Sequence, residues 1–235
     1  MKEDTTTEFL ELYKRLESAI RDKYDVPQGV GAVSWLIRNE RGFGGVRDEL
    51  NYCREVRNLL QHNERVRGDY AVIPSVGMMK TIESTITRVE GIPRAIDLCV
   101  KTSDIYSAAL TDPMLPAMRA MCSKAFSHLP ILEDGRVTGV FSAKSLLSHI
   151  IEDGVTKLDE TMTFEQVAGL LPLSKHGSET FAFVPQEMLA TSVAELFQQA
   201  RKQSKRLGVV FVTAHGKQSE RLLGILTAWD MAEFF

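Results

Sequence analysis

The sequence predicts an α+β protein, an N-terminal α-helical bundle followed by a pair of duplicated β-α-β-β-α units. Three observations predict it. First, Arg136-Val-Thr-Gly139-Val-Phe-Ser142-Ala-Lys-Ser145-Leu returns as Arg221-Leu-Leu-Gly224-Ile-Leu-Thr227-Ala-Trp-Asp230-Met, so one structural unit occurs twice. Second, apolar residues before position 90 recur at helical spacing. Third, a chain of 235 residues with 44% hydrophobic and 25% charged residues can bury a sizeable core, which excludes wholesale disorder. One repeat alone is too short for a stable core, but a packed pair is not.

The helical region divides into four segments. Phe9, Leu12, Tyr13, Leu16 and Ile20 form the stripe of the first, and Pro27, Gly29 and Gly31 punctuate its end. A second covers Val33–Arg38 and stops at Gly42-Phe-Gly-Gly45. The third runs from Val46 to His62, with Cys53, Val56, Leu59 and Leu60 on one face. Arg47, Arg54, Asn58, Gln61 and Arg65 take the opposite face. The fourth begins after Pro74 and carries Met78, Ile82, Thr85, Ile86 and Val89. Short connections between four helices predict a small bundle over residues 1–92.

Gly91-Ile-Pro93 marks the boundary, after which short strands alternate with helices. The first repeat, 93–151, reads as strand Ile105–Leu110, helix Leu115–Phe126, strand Leu129–Leu132, a turn at Glu133-Asp-Gly135, strand Val137–Phe141 and a helix from Ser142. A helix over Phe164–Leu171 ends at Pro172 in the connection between the repeats. The second repeat with this connection, 152–235, reads as strand Phe181–Val184, helix Val193–Lys202, strand Gly208–Val212, a loop Ala214–Glu220, strand Leu222–Leu226 and a helix from Thr227.

The duplicated unit resembles the cystathionine-β-synthase (CBS) domain pair, or Bateman module, over about residues 95–235. The resemblance is carried by Ala117-Met-Arg-Ala-Met121, His128-Leu-Pro-Ile-Leu132, Gly139-Val-Phe-Ser142, Ala194-Glu-Leu-Phe-Gln198, Gly208-Val-Val-Phe211 and Gly224-Ile-Leu-Thr227-Ala-Trp-Asp230. It implies that Thr227 and Asp230 hold the phosphate and ribose of an adenosine-containing ligand (AMP, ADP, ATP or S-adenosylmethionine), with the base in an apolar slot beside Phe183 and Val184. Arg206 is a phosphate partner by its chemistry, and Ser142 and His128 line whatever the first repeat binds. The residues read alone allow two roles for Thr227-x-x-Asp230. A helix start offers amides to a phosphate, whereas a capping box needs no ligand. Ser142-x-x-Ser145 keeps the hydroxyl and loses the carboxylate, so the two repeats are expected to differ.

In the helical region, Arg57-Asn58-Leu-Leu-Gln-His62 resembles the Arg-polar-x-x-x-His motif of HEPN domains. That resemblance implies a metal-independent endoribonuclease in which Arg57 stabilises phosphorane charge, His62 is general acid or base, and Asn58 orients one of them. Five residues of regular helix, however, place Arg57 and His62 about 140° apart. Residues 1–90 hold 14 Lys/Arg against 15 Asp/Glu, with no basic half of the kind that nucleic-acid binders show.

Three scattered cysteines, Cys53, Cys99 and Cys122, supply neither a disulfide framework nor metal spacing, and read as reduced, buried thiols. No metal set, covalent cofactor, signal peptide or 20-residue apolar span is read, so a cytoplasmic location is expected. The functional expectation is a regulatory sensor of an adenosine nucleotide that forms a homodimer through its helices. The alternatives are a nucleotide-gated ribonuclease acting on RNA and a scaffold whose Ser/Thr helix starts serve only as caps.

Overall fold

The structure is a computed structural model that describes residues 2–62, 70, 72–144, 146–147, 160–177, 179–203 and 206–234, the side chains of residues 2–4 and 62 excepted. The chain forms two compact units, Met1–Ile92 and Pro93–Phe235.

The first unit contains α1 (Lys2–Lys23), α2 (Ala32–Asn39), a 3-10 turn at Arg41–Val46, α3 (Arg47–His62) and α4 (Val76–Gly91). α1 packs on α2 and α4, and α3 packs on α2 and α4. Phe9, Tyr13, Leu16 and Ile20 of α1 are buried with Leu36 of α2, Leu50, Cys53 and Leu60 of α3, and Ile82, Ile86 and Val89 of α4. Ser75 caps α4 by accepting the Met78 amide at 3.2 Å. The apolar face expected on α3 is shifted: Leu50 is buried, whereas Leu59 lies at the surface. The glycine-rich turn folds around Phe43, which is buried under the Arg88 guanidinium at 4.7 Å.

The second unit contains α5 (Ala95–Leu98), β1 (Val100–Lys101), α6 (Met114–Lys124), β2 (His128–Glu133), β3 (Arg136–Ser142), 3-10 turns at Phe164–Leu170 and Leu173–Lys175, β4 (Glu179–Pro185), α7 (Ala190–Lys202), β5 (Arg206–Thr213), β6 (Gly224–Leu226) and a 3-10 turn at Ala232–Phe234. β2 and β3 form an antiparallel hairpin through Asp134-Gly135, both at positive φ as a tight turn requires. The second sheet has the order β1-β6-β5-β4, with β4 and β5 parallel and the other pairs antiparallel.

The opening segment of each repeat packs on the other one. α5 and β1 open the first-repeat stretch, yet Val100 pairs with Ile225, Arg94 bridges Leu189 and the Ala190 amide donates to the Pro93 carbonyl. Thr163–Leu171 opens the second-repeat stretch, yet Thr163 bridges Pro113, the Met114 amide donates to the Met162 carbonyl and the Val140 amide to the Leu171 carbonyl. This exchange explains the repeated glycine. A Cβ on Gly139 would lie 2.7 Å from the Leu171 carbonyl oxygen, and one on Gly224 would lie 2.7 Å from the Val100 carbonyl oxygen and closer still to the Cys99 sulfur. Each repeat therefore has its own core, one around Met114, Leu129, Phe141 and Phe164 and the other around Val193, Val210, Leu226 and Met231. Val137, Val140, Val209, Phe211 and Leu222 form a third cluster that joins β3 to β5.

Three expected elements differ. Ile105–Leu110 is not a strand; only Ala108 bridges Ile131, because the Asp112 carboxylate takes the Ala109 amide at 2.7 Å and bends the chain. Phe164–Leu170 is a 3-10 turn with a break at Val167 (φ −118°, ψ 20°). No α-helix starts at Thr227; a turn covers 228–231 before the short 3-10 segment. No helix among the described residues is long and apolar enough to cross a membrane.

Candidate functional site

The two repeats build clefts at equivalent positions. Leu129 pairs with Phe141 as Val210 pairs with Leu226, which places Ala125, Phe126 and Ala143 opposite Arg206, Leu207 and Ala228 in the repeat. In the second repeat a cleft of about 870 Å³ is lined by Phe197, Gln198, Arg201 and Lys202 of α7, Arg206 and Leu207 of β5, and Ala228. Its described lining combines apolar Phe197, Leu207 and Ala228 with the cations Arg201, Lys202 and Arg206. The cleft in the first repeat, about 530 Å³, is lined by Met118, Met121, Cys122, Phe126, Phe141 and Leu147, among others, and by no charged side chain among the described residues.

Thr227 and Asp230 flank Ala228 in sequence, but Ala228 alone of this stretch lines the second cleft. Asp230 Oδ2 accepts both the Thr227 amide and the Thr227 hydroxyl, each at 2.7 Å. That bond pattern is the local cap foreseen as the alternative, and it ends β6 in a turn rather than in a helix N-terminus. The Thr227 hydroxyl proton is committed to Asp230, so this conformation corrects its role as a phosphate donor. Asp230 Oδ1 has no hydrogen bond among the described residues and is the atom left to meet a sugar hydroxyl.

Arg206 lines the cleft. Its Nε is 3.9 Å from Glu179 Oε1, and its side chain is 73% exposed, which leaves the outer guanidinium edge for an anion. Phe183 and Val184 do not line the cleft. Val184 is buried in the core of the second repeat, and the Phe183 ring packs on Phe211 at 5.0 Å. The apolar surface in the cleft comes from Phe197, Leu207 and Ala228 instead. Arg201, Lys202, Gln198 and Phe197 were missed from sequence; the signal was the basic last turn of α7, four residues before Arg206.

Ser142 and His128 do not line the first cleft either. Ser142 is buried at the end of β3, where it pairs with His128. His128 faces the second repeat: its Nε2 lies 3.1 Å from Glu179 Oε2, with the two side chains only 10% and 5% exposed. A Cβ on Gly208 would approach that nitrogen to 3.0 Å, so Gly208 makes room for the contact. The Phe181 ring is edge-on to both His128 and His176. His176 is buried, neither ring nitrogen has a hydrogen-bond partner among the described residues, and burial pushes its imidazole below the ordinary histidine range. Ser145, the first-repeat counterpart of Asp230, lies outside the described residues.

In the helical unit, Arg57 is held at the base of α1. It lies 3.6 Å from Glu17 and over the Tyr13 ring, and donates to Asn58 Oδ1 at 3.2 Å. These contacts occupy Arg57 and Asn58 with their own neighbours. His62 ends α3, and its side chain lies outside the described residues, so the Arg57–His62 pairing has no geometry here. Burial pushes the Cys53 thiol up to about 11 and raises Cys99, which makes both inert; Cys122 departs from the expectation and is exposed. No group of three His, Cys, Asp or Glu residues among those described could hold a metal ion.

Comparison with known proteins adds a family signal. The CBS domain model matches residues 97–152. No curated protein matches the chain. Among solved structures, the chain is similar to the CBS domain pair of protein MJ0100 in complex with 5′-methylthioadenosine and S-adenosyl-L-methionine, with 16% identity over 61% of this chain and 96% of that one and a TM-score of 0.42. It is similar to CBSX2 in complex with AMP, with 15% identity over 60% of this chain and 94% of that one and a TM-score of 0.42. A CBS domain-containing protein of unknown function from Bacillus anthracis str. Ames Ancestor shows 15% identity over 60% and 90% of the respective chains and a TM-score of 0.41.

Proposed function

We propose that the C-terminal unit is a CBS pair that binds an adenosine nucleotide in the cleft of the second repeat and serves as a regulatory sensor. The observation that carries this reading is the cleft itself: about 870 Å³, within the range of small-molecule sites, with apolar side chains and three cations among its described lining residues. The CBS domain match over residues 97–152 and the duplicated architecture support the family assignment.

In this reading the base lies on Phe197, Leu207 and Ala228, and the phosphates meet Arg201, Lys202 and Arg206. Asp230 Oδ1 takes a ribose hydroxyl while Oδ2 stays on Thr227, so the local cap positions the binding atom instead of competing with it. The cationic lining orders the ligands: ATP and ADP bind more tightly than AMP, and cationic S-adenosylmethionine binds least. Regulation follows from the ligand's differential affinity for two arrangements of the protein, and is limited by that difference. The same reading makes the chain a homodimer, which light scattering at two protein concentrations tests.

The test of binding is a titration of the full chain with ATP, ADP, AMP and S-adenosylmethionine, followed by Trp229 fluorescence. Trp229 is 89% exposed and follows the lining residue Ala228 in sequence, and calorimetry of the same titration supplies the readout that does not depend on its ring. Saturable change with the nucleotides, weakened at least tenfold by Arg206→Ala, supports the reading. A flat titration with all four ligands overturns it.

A further inference from the structure

The helical unit has a cluster of cations of its own. α2 and α3 are joined by the 3-10 turn at Arg41–Val46, and between them lies a groove of about 380 Å³ lined by Ser34, Ile37, Arg38, Arg47, Asn51 and Arg54. Ser34 and Arg38 are one turn apart on α2. Arg47, Asn51 and Arg54 recur at i, i+4 and i+7 on α3, which puts them on one face. Three guanidiniums therefore line one small space, and no carboxylate among the described residues lines it.

Several arginines of the chain are paired with carboxylates, and those of this groove are not. Arg15, Arg57, Arg94, Arg119 and Arg206 each lie beside a glutamate. Arg38, Arg47 and Arg54 form no ion pair with any carboxylate among the described residues. Two of them are instead set in place by neutral partners: Arg38 Nε donates to the Ser34 carbonyl and Arg54 Nη1 to the Ser34 hydroxyl, each at 3.0 Å. The Arg47 side chain has no hydrogen-bond partner among the described residues. Like charges held together without a counter-ion repel one another, and an anion in the groove removes that cost.

We infer that this groove is a binding site for a compact, multiply charged phosphate group, such as the di- or triphosphate of a nucleotide or an inorganic polyphosphate. Planar guanidiniums match phosphate oxygens in pairs, and the Asn51 amide is a further donor at the same place. Residues 1–90 balance 14 Lys/Arg against 15 Asp/Glu, so an extended polyanion such as RNA meets carboxylates beyond the groove, whereas a compact phosphate meets only the three arginines.

The experiment titrates the full chain with sodium tripolyphosphate by calorimetry and compares Arg47→Ala, Arg38→Ala/Arg47→Ala and Arg201→Ala/Arg206→Ala. Arg47 makes no side-chain hydrogen bond or ion pair among the described residues, so its removal tests charge without disturbing the fold. One tripolyphosphate site that weakens at least tenfold in Arg47→Ala, disappears in the Arg38/Arg47 pair and persists in the Arg201/Arg206 pair supports the inference. Affinity unchanged in the Arg38/Arg47 pair overturns it. ATP as a second ligand, titrated into the Arg201→Ala/Arg206→Ala chain so that the cleft of the second repeat does not contribute, separates the sources: binding that matches tripolyphosphate means the phosphate chain alone is read, and tighter binding means the nucleoside is read as well, both within the inference. An eight-nucleotide single-stranded RNA that binds more tightly than either at the same ionic strength overturns the compact ligand.

Discussion

The two repeats share a plan and differ in the lining of the same cleft. Where the second repeat places Arg206 and Leu207 at the entry to β5, the first places Ala125 and Phe126. Where the last turn of α7 brings Arg201 and Lys202, that of α6 brings Met121 and Cys122. Backbone and core are duplicated; among the described lining residues, charge is not. A fold can thus keep two equivalent cavities with different linings, because lining residues change without disturbing the strands that form the walls.

The shared plan is open to the harshest test. Gly139→Ala and Gly224→Ala both push a methyl into backbone that the crossing segment brings within 3 Å, and each should cost about 3 kcal/mol, the upper end for overpacking. Gly169→Ala, with open space around its Cβ, should be close to neutral. Thermal or denaturant unfolding measures all three, and a tolerated Gly224→Ala breaks the equivalence of the exchanged segments. The difference between clefts is tested by charge removal. Arg201→Ala/Arg206→Ala should abolish nucleotide-induced stabilisation, which for wild type at a hundredfold excess over Kd is about 2.7 kcal/mol. Met118→Ala in the first cleft should leave that increment unchanged.

The seam between the repeats carries a pH signature. Because burial depresses the folded pKa of His176 below 6.5, its contribution is fully present above pH 6.5 and is lost as pH falls below it. His176→Phe keeps an aromatic ring against Phe181 and removes two unpaired nitrogens, so it should flatten the stability profile below pH 6.5. Wild-type and variant profiles that stay parallel in this range contradict that account. The smallest effect is expected in the loop found only in the second repeat. Glu220 accepts the His215 amide at 2.7 Å and the His215 ring at 2.8 Å, which lowers its carboxyl to about 2. Its contribution is present above pH 4.5 and is lost as pH falls through about 2, so Glu220→Gln should lower Tm slightly at pH 7 and not at pH 2.

Much of the fold was legible in the sequence because periodicity and repetition are local signals. The stripe through Phe9, Tyr13, Leu16 and Ile20 is buried, and the duplicated Gly139 and Gly224 occupy equivalent tight places. The exchange of segments was not legible, since nothing in Val100 or Leu171 says which β-edge it meets; that is decided by packing across the whole unit. The candidate site was legible in outline only. Arg206 lines the cleft and Thr227 and Asp230 flank its lining residue Ala228 in sequence, but Phe183 and Val184 belong to the sheet core, and Arg201 and Lys202 read as an ordinary basic helix end. His128 was assigned to a ligand, whereas its side chain is directed to a buried glutamate 51 positions away. Side-chain direction at strand ends depends on such distant partners.

The central claim is that one cleft of the two takes a nucleotide, and calorimetric stoichiometry tests it most directly. Titration of the full chain with AMP, whose single phosphate has least call on the separate arginine groove of the helical unit, should give one site per chain that Arg201→Ala/Arg206→Ala eliminates. Two sites per chain in the C-terminal unit, or one site indifferent to both arginines, would contradict the account.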